Sequence, residues 1–176
     1  MASSRKKVIV RRFNRELISG YLPASNFVTV NSLDLLDLSG RVLQIPLNEI
    51  KLVSFVRDFN TGDMQNPERL SRKTFLARPR NEGLWLRLTL KDGDQLEGLA
   101  PPDLSLVDSL INDLGLQLSP PDVRSNTQRL FIPRSAIADL QVIAVITTPS
   151  KRKPLPQEDL QDTLFHTPPP PNSRPN

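Results

Sequence analysis

The stretch RLFIPRSAIADLQVI at residues 129–143 has a fainter double in VLQIPLNEIKLVSFV at residues 42–56. Both carry Ile-Pro, three residues, then Ile: Ile45-Pro46 with Ile50, and Ile132-Pro133 with Ile137. Both then continue into apolar stretches rich in β-branched residues. Proline offers no N–H to a sheet ladder, so it belongs at an edge or a strand break. The pattern therefore predicts a strand, a break at Pro46 or Pro133, and a one-turn segment. A last strand follows, covering 50–56 in the first stretch and 140–146 in the second.

Working outward, a second correspondence appears. KVIVRRFNRELISG (7–20) aligns with WLRLTLKDGDQLEG (85–98), so that Val8, Val10 and Arg12 match Leu86, Leu88 and Leu90. Ile18 then matches Leu96, and Gly20 matches Gly98. Apolar alternation around Asp92-Gly93 predicts a half-buried antiparallel hairpin. The first copy has Asn14-Arg15 at the turn and lacks the glycine. Gly20 and Gly98, inside strands, mark a bulge or a sharp bend. Between hairpin and closing strands, Phe27, Val28 and Val30 predict one strand, and Leu33 to Leu38 another, ending at Ser39-Gly40. Residues 104–114 read as a short helix or a strand pair.

Five short strands per copy predict a mainly all-β protein of two tandem small β-barrels with short helical segments. The division is 7–59 for the first barrel, 60–83 for a basic linker and 84–149 for the second barrel. Gly20, Pro46, Ile50, Gly98, Pro133 and Ile137 are assigned structural roles. Within the linker, residues 66–78 read as a short helix with Pro67 in its first turn. Residues 150–176 are dense in proline and poor in apolar residues, the composition of a disordered tail.

Composition narrows the chemistry. There is no cysteine, which removes disulfides, thiolate metal sites and cysteine nucleophiles together. The single histidine, His166, lies in the tail. No carboxylate pair or metal motif stands out, so the expectation is a non-catalytic protein with no metal and no cofactor. No apolar run approaches the roughly 18 residues of a membrane span, and the N-terminus lacks the apolar region of a signal peptide. The expectation is a cytoplasmic protein with no membrane association.

The second copy, over residues 84–146, resembles Sm-like proteins, including the bacterial Hfq type. LRLTLKDGDQLEGLAPPDLSLV is similar to the first Sm motif, and RLFIPRSAIADLQVI to the closing one. The resemblance implies a small barrel with RNA as a ligand class. This chain carries Pro101, Pro102 and Asp103 at the matching loop, and Ile132, Pro133 and Arg134 where the Hfq type has tyrosine, lysine and histidine. The two-copy layout also resembles an uncharacterised bacterial family seen mainly in acidobacteria.

The net charge is +4 and the signs segregate. Arg11, Arg12 and Arg15 in the first copy, with Arg69, Arg72, Lys73, Arg78 and Arg80 in the linker, are candidates for binding RNA or DNA phosphates. Phe75 or Trp85 could stack on a base, although Trp85 opens an apolar strand and suits packing better. Arg124, Ser125, Asn126, Gln128 and Arg129 make a polar cluster before the last strand pair. Arg11 and Arg15 also have the Arg-x-x-x-Arg spacing of PilZ domains, which bind cyclic di-GMP. Asp37 and Ser39 supply part of the PilZ companion motif, without its glycine spacing. A further reading is a protein-interaction scaffold that uses barrel edges and a tail peptide. In that peptide Gln161, Leu164 and Phe165 resemble the motif that docks on the bacterial sliding clamp. Homo-oligomers are compatible with all three readings.

Overall fold

A computed structural model describes residues 5–24, 26–59, 72–103, 106, 112, 114–122 and 124–147. Eleven strands follow in chain order. The first six are β1 (Arg5–Arg12), β2 (Leu17–Pro23), β3 (Val28–Thr29), β4 (Ser32–Asp37), β5 (Val42–Pro46) and β6 (Ile50–Val56). The others are β7 (Gly83–Leu90), β8 (Gln95–Ala100), β9 (Gly115–Leu118), β10 (Thr127–Pro133) and β11 (Ile137–Ile146). One-turn 3-10 helices, Leu47–Glu49 and Arg134–Ala136, follow the two prolines. The second closing strand thus begins at Ile137, earlier than expected. Residues 72–78 are not helical. The rest of the expected linker helix, most of 104–114 and the tail lie outside the described residues.

The strands do not close into barrels. They form two open antiparallel sheets, one of eight strands and one of three. The larger is ordered β3-β4-β2-β1-β6-β10-β9, with β5 on the other edge of β4; the smaller is β11-β7-β8. The reason lies in β6. One edge pairs with β1 and the other with β10, so neither is left for β5. The larger sheet therefore runs across the boundary drawn between residues 7–59 and 84–149. Leu99 and Ser119 exchange both backbone hydrogen bonds, at 2.8 and 3.0 Å, and join the smaller sheet to β9.

Local chemistry explains the turns. At the β1–β2 turn Arg12 N–H donates to the Glu16 carbonyl, and at the β7–β8 turn Leu90 N–H donates to the Asp94 carbonyl. The left-handed position in each is held by Arg15 (φ 72°) and by Gly93 (φ 84°). Val8 faces Gly20 in register and Leu86 faces Gly98. The closing strands also match: pairing slips at Lys51 in β6, opposite β1, and at Ala138 in β11, opposite β7.

Two cores result. Val8, Val10, Leu22, Leu33, Leu35, Ile45, Ile50, Val53 and Phe55 fill the first with Phe27 and Phe131. Leu86, Leu88, Leu90, Leu116, Leu118, Ile132 and Ile137 fill the second. Side chains alternate across a strand, so β10 sends Phe131 into the first core and Ile132 into the second. β6 does likewise with Val53 and Leu52. Phe27 meets Phe55 and Phe131 edge-on, at centroid distances of 5.6 and 5.1 Å. The β6–β10 pair is a wall shared by both cores.

Candidate functional site

Beside this wall the extra residue of the β6 bulge is Lys51. Its ammonium is almost buried, at 6% side-chain exposure, inside a strand whose other residues, Ser54 apart, are apolar. Burying an ammonium is costly unless carboxylates face it. The β7–β8 turn supplies them: Lys51 Nζ donates to Asp94 Oδ2 at 2.6 Å and to Asp92. The Lys51 hydrogen bond holds Asp94 below the usual carboxylate range, against a smaller opposing effect of burial. Burial pushes Asp92 upward, but Lys51 and the Asp94 N–H outweigh it and its pKa is also lowered.

Around this triad lies a polar hollow of about 490 Å³, lined by Arg11, Arg12, Phe13, Arg15, Lys51, Lys73, Asp92 and Asp94. Arg11 reaches it from the end of β1, and Arg15 from the turn. The guanidinium of Arg12 is engaged, with one nitrogen on Glu16 at 2.7 Å and another on Glu49 at 2.9 Å. The side chains of Arg11 and Arg15 have no hydrogen-bond or ion-pair partner among the described residues. A narrow slot of about 70 Å³ adjoins the hollow and shares Arg11, Lys51, Lys73 and Asp94 with it. Ile9, Leu17, Leu52, Leu90, Leu96 and Leu130 make the slot apolar, and Arg72 lines it.

Lys73 is positioned by its backbone. Its carbonyl accepts from Glu97 N–H at 2.7 Å, which extends pairing along the second edge of β8. Glu97 is buried, at 2% exposure. Its carboxylate accepts from Phe75 N–H (3.0 Å), Trp85 Nε1 (3.1 Å) and the Arg87 guanidinium (2.9 and 2.7 Å). Burial pushes Glu97 upward, but these donors together lower its pKa. Phe75 meets Trp85 edge-on at 5.6 Å. Residues 73–75 are thus fastened to the smaller sheet, with Trp85 packed beneath them.

The sequence candidates therefore divide. Arg11, Arg12, Arg15 and Lys73 come together at the hollow, and Arg72 joins them through the slot. Arg78 and Arg80 are exposed and line neither. Arg69, Gln161, Leu164 and Phe165 lie outside the described residues. In the polar cluster, Asn126 ties the ends of β6 and β10, accepting from Asp58 N–H at 3.0 Å and donating to the Asp58 carbonyl at 2.7 Å. Arg129 stacks over Phe55 at 4.2 Å. Asp37 accepts from Ser39 and from Arg41 N–H and closes the β4–β5 turn, apart from the hollow.

Lys51, Asp92, Asp94 and Glu97 were missed by sequence reasoning. The available signal was a lysine within IKLVSFV and a glutamate within QLEGLA, charges where the strand pattern asks for apolar residues. Among the described residues no three His, Cys, Asp or Glu side chains gather around a common point, and no helix is long and apolar enough to cross a membrane.

No curated protein and no solved structure matches the chain. One family model does, over residues 4–144, and on that match the chain belongs to DUF6982, a family of unknown function.

Proposed function

We propose that this protein binds single-stranded nucleic acid, with its phosphates in the basic hollow. The observation behind this reading is the convergence there of Arg11 and Arg15 from the first hairpin with Lys73 from the linker. The Arg11 and Arg15 guanidinium groups, which have no carboxylate partner among the described residues, are the natural receivers of phosphate oxygens, and Lys73, whose ammonium lies 3.4 Å from Asp94 Oδ2, adds positive charge beside them. The apolar slot beside them, with Arg72 at its wall, suits the face of a base better than a second phosphate. The two charges of Asp92 and Asp94 are balanced by Lys51 and Lys73 together, which leaves the arginines to keep the hollow positive.

The parent scaffold, in this reading, is a duplicated small-barrel unit of the Sm-like type, opened and fused. Each half has the same pairing sequence, β6-β1-β2-β4-β5 and β11-β7-β8-β9-β10, the β8–β9 link being the Leu99–Ser119 bridge. Sharing β10 with the first half is what opened the second.

The test is fluorescence anisotropy with labelled RNA and DNA oligonucleotides of mixed sequence at rising salt. Three or four phosphate contacts to a single strand give a log–log salt slope of about −2 to −3, near 0.7 per contact. Arg11→Ala with Lys73→Ala flattens the slope by about 1.4. Absence of binding at low salt, or binding indifferent to both variants, sinks the reading. Calorimetry with cyclic di-GMP is the arm for the PilZ alternative, since Arg11 and Arg15 share the hollow; heat lost on Arg11→Ala would move the assignment there.

A further inference from the structure

We infer that the slot between the two halves binds a short amphipathic carboxylate, a small acid of about four to six carbons with a further oxygen remote from its carboxyl group. This goes beyond the nucleic-acid reading and is independent of it.

The inference starts from where the chain buries its polar side chains. Among the described residues, four polar or charged residues are buried: Lys51, Ser54, Glu97 and Thr127, at 5, 3, 2 and 3% exposure. All four line the one slot, whose surface is mostly apolar. Lys51 is satisfied there by Asp92 and Asp94, and Glu97 by Phe75, Trp85 and Arg87. Ser54 and Thr127 are not. Neither hydroxyl has a hydrogen-bond partner among the described residues. Leaving a buried hydroxyl unpaired is costly. Two of them lining one apolar slot mark a place for a molecule that brings an oxygen of its own.

Register sets these groups in order. Leu52 of β6 lies level with Arg11 of β1, and Ser54 with Ile9 of β1 and Leu130 of β10. Thr127 lies level with Val56. Each step of two residues advances about 7 Å along a strand. The slot therefore runs from the Arg11 end, which it shares with the hollow, past Ile9, Leu130 and the Ser54 hydroxyl, to the Thr127 hydroxyl. The smaller sheet contributes Leu96 and Glu97 from β8, so neither half forms the slot alone.

The charges at the mouth select the head group. A guanidinium fork such as that of Arg11 receives a carboxylate through two parallel hydrogen bonds. Asp94 and Glu97 also line the slot, so a doubly charged group would meet repulsion there. The volume limits the body. A dry apolar cavity of about 150 Å³ takes benzene. At about 70 Å³, the slot encloses roughly three or four carbon atoms, with the carboxylate outside them in the mouth. The Ser54 level, about 7 Å from that of Arg11, is where the remote oxygen falls.

The experiment is a nuclear magnetic resonance titration of the isotope-labelled full chain. The probes are straight-chain carboxylates from acetate to octanoate, and 4-oxopentanoate beside its shape analogue 4-methylpentanoate. Affinity is expected to rise as far as pentanoate or hexanoate and to fall at octanoate, with the largest amide shifts at Ile9, Ser54, Leu96 and Thr127. 4-Oxopentanoate is expected to bind about three- to tenfold more tightly than 4-methylpentanoate, the worth of one hydrogen bond. Ser54→Ala with Thr127→Val, checked for native circular dichroism, should erase that preference and keep the chain-length optimum. Arg11→Gln should weaken every acid severalfold, which keeps the test decisive if the double variant misfolds. Absence of saturable shifts at tens of millimolar, affinity that climbs steadily to octanoate, shifts confined to exposed lysines and arginines, or a preference that survives the double substitution would each overturn the proposal.

Discussion

Arg15 occupies a left-handed backbone position where the other hairpin has Gly93. A non-glycine residue there costs about 1 to 2 kcal/mol. Arg15→Gly is therefore expected to raise the unfolding free energy by about 1 kcal/mol while weakening oligonucleotide binding, an opposition that anisotropy and urea melts read together. Glu97 carries the reverse expectation. Glu97→Ala leaves the Phe75 N–H and the Trp85 and Arg87 donors without their acceptor, at a cost of about 1 to 3 kcal/mol. Trp85 is the single tryptophan, so release of residues 73–75 should appear as a red shift of its emission. The carboxylates also set an acid limit. Asp92, Asp94 and Glu97 are lowered in the fold, so the unfolded chain takes up protons first as pH drops. Their contribution is complete above the ordinary carboxylate range near 4, and is lost as pH falls through the lower folded values. Thermal melts between pH 6 and 2 should show Tm steady at first, then falling. None of these three groups was legible from the sequence, because a local pattern does not reveal which distant turn will meet Lys51.

At the scale of elements, much was legible. The Asp92-Gly93 hairpin, the Ile-Pro breaks and the matched strands follow from local propensity and alternation, which need no knowledge of the partner. Gly20 and Gly98 show why their type matters. A Cβ at Gly20 would lie 2.5 Å from the Leu36 carbonyl oxygen, and one at Gly98 2.8 Å from Leu118 Cβ. These are the points where β2 crosses β4 and β8 crosses β9. Gly20→Ala is expected to destabilise by about 1 to 3 kcal/mol, as overpacking does, measured by chemical denaturation; an unchanged midpoint would contradict the crossing. Edge choice was not legible. β10 pairs with β6 and leaves β11 in the other sheet, and nothing in the strands' alternation selects that partner over closure within one copy. The short β3 has a similar cause: Val30 turns into positive φ with its side chain 88% exposed, and ends the strand after Thr29.

For the whole molecule, the β6–β10 wall makes the two cores interdependent. Calorimetry is expected to find one unfolding transition with matching calorimetric and van't Hoff enthalpies, the signature of two-state behaviour. Two separated transitions would mean that the halves melt alone. The expected tandem barrels rested on the assumption that each copy seals itself, whereas the strands form two open sheets. The basic hollow has the same origin, since only the folded chain places residues 11 and 15 beside residue 73.

The shared wall also bears on synthesis. Domains generally fold in order as a chain leaves the ribosome, at about 5 to 20 residues per second. When residue 59 emerges, β6 has one bare edge, and Phe27 and Phe55 still await Phe131. For the seconds until β10 appears, the nascent first half is an unfinished sheet beside its neighbours on a polysome. That interval, rather than the finished molecule, is where this chain is most exposed to mispairing.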